Sequence, residues 1–179
     1  MKNRIILVLF IVSAAAQLFI AVSSLVFNER ILSNGAVYRF RTEPVDPYDP
    51  FRGKYIELDV HRSIITDEAY RFDEGEKVYV LLKRDEDLFT SFSGISEDKP
   101  SSADYIKLEI DYISGNEIEF KNPFDRYYID EDYAEEAETA YWSESFDGET
   151  YIEVRVLSGH AVLEELFLGG MPVLDYLES

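Results

Sequence analysis

One uninterrupted apolar run near the N-terminus constrains this chain more than any other feature. Residues 5–27 read IILVLFIVSAAAQLFIAVSSLVF, 23 positions without a charged side chain. As an α-helix that rises about 1.5 Å per residue, the run extends roughly 35 Å, which is enough to cross the hydrocarbon layer of a bilayer. The sequence therefore predicts a transmembrane anchor within residues 1–30, followed by a single domain at residues 31–179.

The charges beside the apolar run indicate its orientation. Lys2 and Arg4 precede the run, and the basic flank of a membrane helix tends to stay in the cytoplasm. We therefore expect a single-pass protein of the cell membrane with a cytoplasmic N-terminus and an extracytoplasmic C-terminal domain. A cleaved signal peptide is the alternative, because residues 13–16 offer small side chains for a cut before Gln17. The apolar run continues through Phe27, and this continuation favours the anchor.

The composition of the exported part excludes several functions. Beyond residue 27 lie 15 basic and 36 acidic side chains, which give a formal charge of −21. A surface this acidic repels nucleic acid, so nucleic acid is excluded as a partner. The chain has no cysteine, and its two histidines are His61 and His160. This inventory excludes disulfides, thiolate catalysis and Cys-based metal sites, disfavours a multi-histidine metal centre, and leads us to expect no cofactor.

Alternation of apolar and polar side chains predicts a mainly β domain with a minor α component. Ile56, Leu58 and Val60, for example, share one face of a predicted strand, and polar side chains take the other face. We expect a barrel- or sandwich-like β domain with one short helix. The predicted strands cover residues 36–42, 54–61, 77–83, 105–110, 117–120 and 151–157.

The helix is predicted over residues 131–142. Tyr133, Ala137, Ala140 and Tyr141 recur at helical spacing, and glutamates take the opposite face. Asp130 and Asp132 precede this pattern, as capping residues do at the N-terminus of a helix. The helix is expected to lie on the sheet.

Glycines and serines predict the structure of two other regions. Residues 151–157, 161–168 and 171–176 are separated by glycine-containing turns, which predicts a three-stranded meander. Residues 161–168 also fit a short helix. Residues 92–102 contain glycine, proline and several serines, which predicts a mobile loop.

A proline-rich motif at residues 44–53 precedes the strand of Ile56. Its three prolines favour extended backbone, and Asp46 and Asp49 each precede one of them, where aspartates bond nearby backbone N–H groups. Arg52 offers five donors, and Gly53 allows a turn. Arg52 and, farther along the chain, Arg126 are interpreted as buried or half-buried structural arginines that bridge loop carboxylates, in preference to the binding of an anionic ligand.

This motif and the strand after it resemble the GDYXXLXY family, whose members are described as membrane-anchored and whose activity is uncharacterised. Gly53, Tyr55 and Leu58 keep the naming motif, whereas Lys54 stands where the family has Asp and Val60 where it has Tyr. The resemblance implies a location and an architecture, with no reaction to carry over. If the family's Asp had a chemical role, this chain has lost it.

Further blocks extend the resemblance along the chain. Residues 76–80 are similar to a strand block of the family, and residues 125–131 and 134–138 are similar to a later block. Relatives tend to be encoded beside a predicted multipass membrane protein, which implies such a protein as a partner in a membrane complex. The candidate functional or structural residues are Asp46, Asp49, Arg52, Gly53, Tyr55, Leu58, Arg126, Tyr127 and Glu131.

Carboxylates are the abundant chemical groups of the chain. Asp46, Asp49, Glu57 and Asp59 fall within a short stretch, and a pair of carboxyl groups across a cleft is the machinery of a glycosidase-like hydrolase. In a chain with 36 acids such grouping is common, so a structural role is favoured and no catalytic residue is assigned. Residues 46–57 have the length of an EF-hand loop but lack its ligand pattern, so no metal ligand is assigned.

The leading hypothesis is a non-enzymatic interaction or accessory domain held to the membrane by residues 5–27. The alternatives are an extracytoplasmic carboxylate-dependent hydrolase and a calcium- or sugar-binding domain. Sugar binding draws on the 13 tyrosines and 12 phenylalanines, because aromatic rings stack on sugar faces. Most of these rings occupy alternate positions of predicted strands, where β-propensity alone accounts for them.

Overall fold

A computed structural model describes residues 2–43 and 55–179 of the chain. The apolar run forms helix α1, Lys2–Asn34. Its most apolar stretch has a mean hydropathy of 2.8 and packs against no other part of the structure. The chain thus has a helix that is long and apolar enough to cross a membrane.

The described residues after α1 form a mainly β domain, as the alternation predicts. Over the whole structure, with α1 included, 42% lies in strands and 31% in helices. A 3₁₀ turn covers Ala69–Arg71. The strands are β1 Ala36–Glu43, β2 Tyr55–Glu57, β3 Asp59–Val60, β4 Ser63–Ile65, β5 Lys77–Arg84, β6 Thr90–Ser96, β7 Tyr105–Ser114, β8 Glu117–Phe120, β9 Arg126–Tyr128, β10 Thr150–Leu157, β11 His160–Leu168 and β12 Met171–Pro172.

The described strands form two five-stranded sheets that together make a nearly closed barrel. The first has the order β12-β11-β10-β1-β3, and the second has the order β4-β8-β7-β5-β6. The sheets meet where Arg39 of β1 forms a bridge with Phe89, just before β6. They meet again where residues 61–62 lead from β3 to β4. A separate two-stranded ribbon consists of β2 and β9.

Phenylalanine rings fill the space between the sheets. Phe40 contacts Phe92 and Phe124 at centroid distances of 5.7 and 5.5 Å. Phe92 contacts Phe120 edge-on at 5.8 Å. These rings belong to one continuous cluster of buried side chains, which is the core that the described strands enclose.

Helix α1 passes into β1 with one residue, Gly35, between them. Ile31 in the last turn of α1 is 1% exposed, and the Phe27 ring meets the edge of His160 at 5.0 Å. A Cβ at Gly35 would lie 2.5 Å from the carbonyl oxygen of Ile31 and 3.0 Å from the backbone nitrogen of Val156. A side chain does not fit at this joint, and the helix is connected to the domain without a flexible linker.

The amphipathic helix is present but is shifted along the chain. Helix α2 covers Ala134–Asp147, and Ala137 and Tyr141 are buried as predicted. The prediction of an aspartate cap is wrong, because Tyr133 occupies the cap position and no side chain caps the helix. Asp130 instead accepts the backbone N–H of Asp132, which closes a turn before the helix.

Three other predictions need correction. Within the loop predicted at 92–102, residues 92–96 belong to strand β6 because they pair with β5, and residues 97–102 lie outside the strands. The third strand of the meander shrinks to β12, and helix α3, Val173–Leu177, follows it. The strand predicted at 54–61 is divided between the ribbon and the first sheet. Residues 161–168 lie in strand β11, as the meander requires.

Candidate functional site

The two-stranded ribbon carries several residues that the family resemblance singles out. β2 pairs antiparallel with β9, so that Tyr55 lies opposite Tyr128. The guanidinium of Arg126 lies over the Tyr55 ring, 4.8 Å from its centroid, and the rings of Tyr55 and Tyr128 are 5.9 Å apart. Bonding to Tyr128 and the nearby charge of Asp125 raise the pKa of Arg126. One face of the ribbon therefore presents a permanent cation that is stacked on the Tyr55 ring and bonded to Tyr128.

Tyr127 connects the ribbon to the first sheet. Its hydroxyl donates to Oε1 of Glu165 in β11 at 2.6 Å, and the same oxygen accepts the backbone N–H of Leu166 at 3.0 Å. Burial of the ring, together with the bond to Glu165, raises the pKa of Tyr127. The half-buried tyrosine thus holds the ribbon on the barrel.

Replacing Tyr127 by phenylalanine is expected to lower the free energy of unfolding by about 1 to 2 kcal/mol, because one hydrogen bond to a carboxylate is lost while the ring stays. The raised pKa of Tyr127 in the folded state means that its contribution is complete below about pH 10, the unfolded value, and is lost as the pH rises toward the folded value. Urea unfolding near pH 7 should therefore separate variant and wild type more than unfolding near pH 11. Equal midpoints at the lower pH would contradict the assignment.

A polar cleft of about 340 Å³ opens beside the ribbon. Asp59 lines it and pairs with Glu43, at the end of β1 that is far from α1. The cleft and helix α1 therefore lie at opposite ends of β1. The charged residues that line the cleft are Glu57, Asp59, Arg62, Asp111, Lys121 and Asp125.

Arg62 bridges two strands at this cleft. Its Nη1 donates to Oδ1 of Asp59 in β3, and its Nη2 lies 2.7 Å from Oε1 of Glu119 in β8. The side chain is 24% exposed, and the bond to Asp59 is the main cause of its raised pKa. Its Nε is buried and has no hydrogen-bond partner within the described residues. Arg62 therefore links the edge strand β3 of the first sheet to strand β8 of the second sheet.

Asn122 fixes the point at which the chain leaves the ribbon for the first sheet. Its Nδ2 donates to the carbonyl of Leu58 at 2.8 Å, and its Oδ1 accepts the backbone N–H of Phe124 at 2.9 Å. The backbone N–H of Leu58 donates to the carbonyl of Asp125 at 3.0 Å. Leu58 itself is 1% exposed. This motif leucine is both a core side chain and a backbone anchor.

Ion pairs and hydrogen bonds engage Asp59 and both cations of the cleft in the scaffold. Asp59 accepts hydrogen bonds from Arg62, from Asn122 and from the backbone of Val60. Lys121 pairs with Glu109 on the neighbouring strand β7. Within residues 2–43 and 55–179, no group of three or more acidic or histidine side chains is arranged to hold a metal ion.

The structure places the residues singled out in the sequence in different settings. Tyr55, Arg126 and Tyr127 lie together on the ribbon, and Leu58 is buried next to it. Glu131 is exposed in the turn before α2 and does not line the cleft. The other candidates, Asp46, Asp49, Arg52 and Gly53, lie outside the described residues.

Sequence reasoning missed Arg62 and Asn122. Arg62 directly follows the strand predicted at 54–61, a position at which no pattern distinguishes it from the other arginines. Asn122 precedes Pro123, and this pair is a turn signal that could have marked the break after β8.

Comparison with known proteins gives one family. The model of a family described as GDYXXLXY protein matches residues 17–166. Comparisons with curated proteins and with solved structures give no match. The matched range includes the ribbon, the cleft and α2.

Proposed function

Because the chain belongs to the GDYXXLXY family, we propose that it is a membrane-anchored accessory protein whose β domain binds a partner protein outside the cytoplasm. The domain acts as an interaction module in a complex of the cell envelope. The proposed partner is a multipass membrane protein, the kind of partner that the family resemblance implies.

One observation carries the proposed anchor, namely the large apolar side chains that α1 leaves uncovered. Leu18, Phe19 and Leu25 are 68%, 73% and 72% exposed. Removing a side chain of this size from water contributes about 2 kcal/mol, and α1 carries many of them. A folded protein rarely exposes so large an apolar surface unless a membrane or another protein covers it. The length of the helix supports a membrane.

Two features support an accessory role for the domain. Both cations of the cleft are engaged in ion pairs, Arg62 with Asp59 and Glu119, and Lys121 with Glu109. The ribbon also presents an exposed cation on aromatic rings, Arg126 with Tyr55 and Tyr128. Arginine and tyrosine are enriched at the centres of protein interfaces. The ribbon is therefore the surface through which the proposed partner is bound.

The orientation predicts the result of reporter fusions. Alkaline phosphatase joined after Ser179 is expected to be active, because its disulfides form when the C-terminus is exported. A fluorescent protein that matures only in the cytoplasm, joined at the same place, is the matched control and is expected to be dark. The opposite pair of results would overturn the orientation.

Co-purification tests the accessory role. The intact chain, isolated from its own membrane, is expected to retain a partner that Arg126→Glu with Tyr55→Ala releases. A control chain with residues 1–34 joined to an unrelated soluble domain shows what the helix alone retains. Equal recovery of the partner by the double variant and the wild type would refute the ribbon as the binding surface.

A further inference from the structure

One strongly polar side chain interrupts the apolar helix near its centre. Gln17 lies one residue past the midpoint of residues 5–27. Its side chain is exposed on α1 and has no hydrogen-bond partner anywhere in residues 2–43 and 55–179. The serines of the run differ from it, because a hydroxyl can bond back to the helix. Ser23, for example, donates to the carbonyl of Ile20 at 2.8 Å.

A carboxamide at this depth needs a partner if α1 spans a bilayer, as proposed above. The hydrocarbon layer extends about 15 Å on either side of its midplane, and a glutamine side chain is too short to reach the headgroups. Water is absent at that depth, so two N–H donors and one carbonyl acceptor would remain unsatisfied against lipid. A side chain from another membrane helix is the remaining source of hydrogen bonds.

The face of α1 around Gln17 permits close approach of a second helix. Ala14 precedes Gln17 by about one turn, and Ala21 and Ser24 follow it by about one and two turns. Small side chains at such positions allow helix backbones to approach within a membrane. The opposite face carries bulkier side chains, including Val12 and Val22. The β domain contacts α1 near Phe27 and Ile31 and leaves the Gln17 face uncovered.

We propose that α1 pairs with the α1 of a second copy of this chain through Gln17. All copies insert in the same direction, so the two helices run parallel and the two Gln17 side chains lie at the same depth. A carboxamide is its own complement, because its N–H donates to a carbonyl of the kind that it also carries. The acidic domains repel each other, but their charges are screened over about 8 Å at physiological salt.

Single cysteines test the pairing in the full chain, because the natural sequence has none. After mild oxidation of native membranes, Ala14→Cys and Ala21→Cys are expected to give disulfide-linked dimers. The matched controls Val12→Cys and Val22→Cys, on the opposite face, are expected to give few. In the Ala21→Cys background, Gln17→Leu should lower the equilibrium constant for pairing roughly threefold to thirtyfold, and Gln17→Asn should retain most of the pairing. Leucine inserts into a membrane more readily than glutamine, so loss of insertion does not explain a loss of dimer.

Each other outcome overturns a stated part of the proposal. Equal cross-linking on both faces, or pairing unchanged by Gln17→Leu, refutes the Gln17 interface. A Gln17-dependent adduct of a size other than two copies refutes the second copy and points to a different membrane protein. Washing the membranes with alkaline carbonate separates the two proposals. A chain that is washed off refutes the anchor and the pairing together, whereas a retained chain without face-specific dimers refutes the pairing alone.

Discussion

Replacing Arg62 by alanine is expected to lower the free energy of unfolding by about 2 to 4 kcal/mol. This is the range for removing one partner of a half-buried charged network. The guanidinium is bound by Asp59 on one side and by Glu119 on the other. Its removal leaves these carboxylates without the cation between them and releases the junction of the two sheets. Urea unfolding of the full chain in detergent, followed by the fluorescence of the single tryptophan, Trp142, measures the change.

A second arginine of the same chain provides the control. Arg71 also pairs with two acids, Glu68 and Glu97, but it is 47% exposed. Arg71→Ala should leave the unfolding midpoint close to that of the wild type, because exposed ion pairs contribute little. Arg62→Lys should recover little, since one ammonium cannot replace a planar group with two arms. If Arg62→Ala is as stable as the wild type, the acids of the cleft are placed for a ligand and the scaffold interpretation is wrong.

Replacing Gly159 by alanine is expected to destabilise the chain by about 2 to 4 kcal/mol, the sum of backbone strain and overpacking. Gly159 lies in the turn between β10 and β11 at φ +84°, a conformation that side chains disfavour. A Cβ there would also lie 2.5 Å from Cε2 of Tyr105. The Tyr105 ring packs edge-on against Tyr79 at 5.3 Å, which limits its freedom to move away.

A variant at Gly75 separates the backbone strain from the overpacking. This glycine has nearly the same backbone angle, φ +83°, and a Cβ there would meet no atom within 4 Å. Gly75→Ala therefore measures the strain alone, at about 1 to 2 kcal/mol. The difference between the two variants in urea midpoint gives the cost of displacing Tyr105. Equal losses of stability in the two variants would show that the Tyr105 ring moves aside at no cost.

The sequence predicted the core well because burial leaves a local trace in an alternating strand. Ile56, Leu58 and Val60 share one face in the pattern, and each is 1% exposed. The pattern could not show that this strand divides between two sheets. The division depends on Asn122, whose amide binds the carbonyl of Leu58 from 64 positions away. No property of residues 54–61 indicates that contact.

The same limit explains why residues 92–96, predicted as part of a loop at 92–102, form a strand. Glycine and serine favour loops when they are judged locally, but Gly94 lies opposite Leu81 in the pairing of β5 with β6. A Cβ at Gly94 would lie 3.3 Å from Cδ1 of Leu81, so the small residue allows the strands to pack closely. Pairing with a neighbouring strand outweighs local preference.

The candidate site was predictable in part. The family resemblance pointed to Tyr55 and Arg126, which do contact each other. The bridge from Arg62 to Glu119 could not be predicted, because a chain with 36 acids offers any arginine many equivalent partners and only the fold selects among them.

The one-residue connection at Gly35 fixes the position of strand β1 relative to the end of helix α1. A domain on a long linker explores a wide volume, but one residue gives about 3.5 Å of slack. The cleft and the end of α1 are separated by the length of β1, Ala36–Glu43, which is about 25 Å at the rise of a strand. If the helix is embedded as proposed, the cleft is held at a constant distance from the lipid surface. A partner in the same membrane therefore meets the cleft at one fixed place relative to α1, because no linker lets the domain turn toward it.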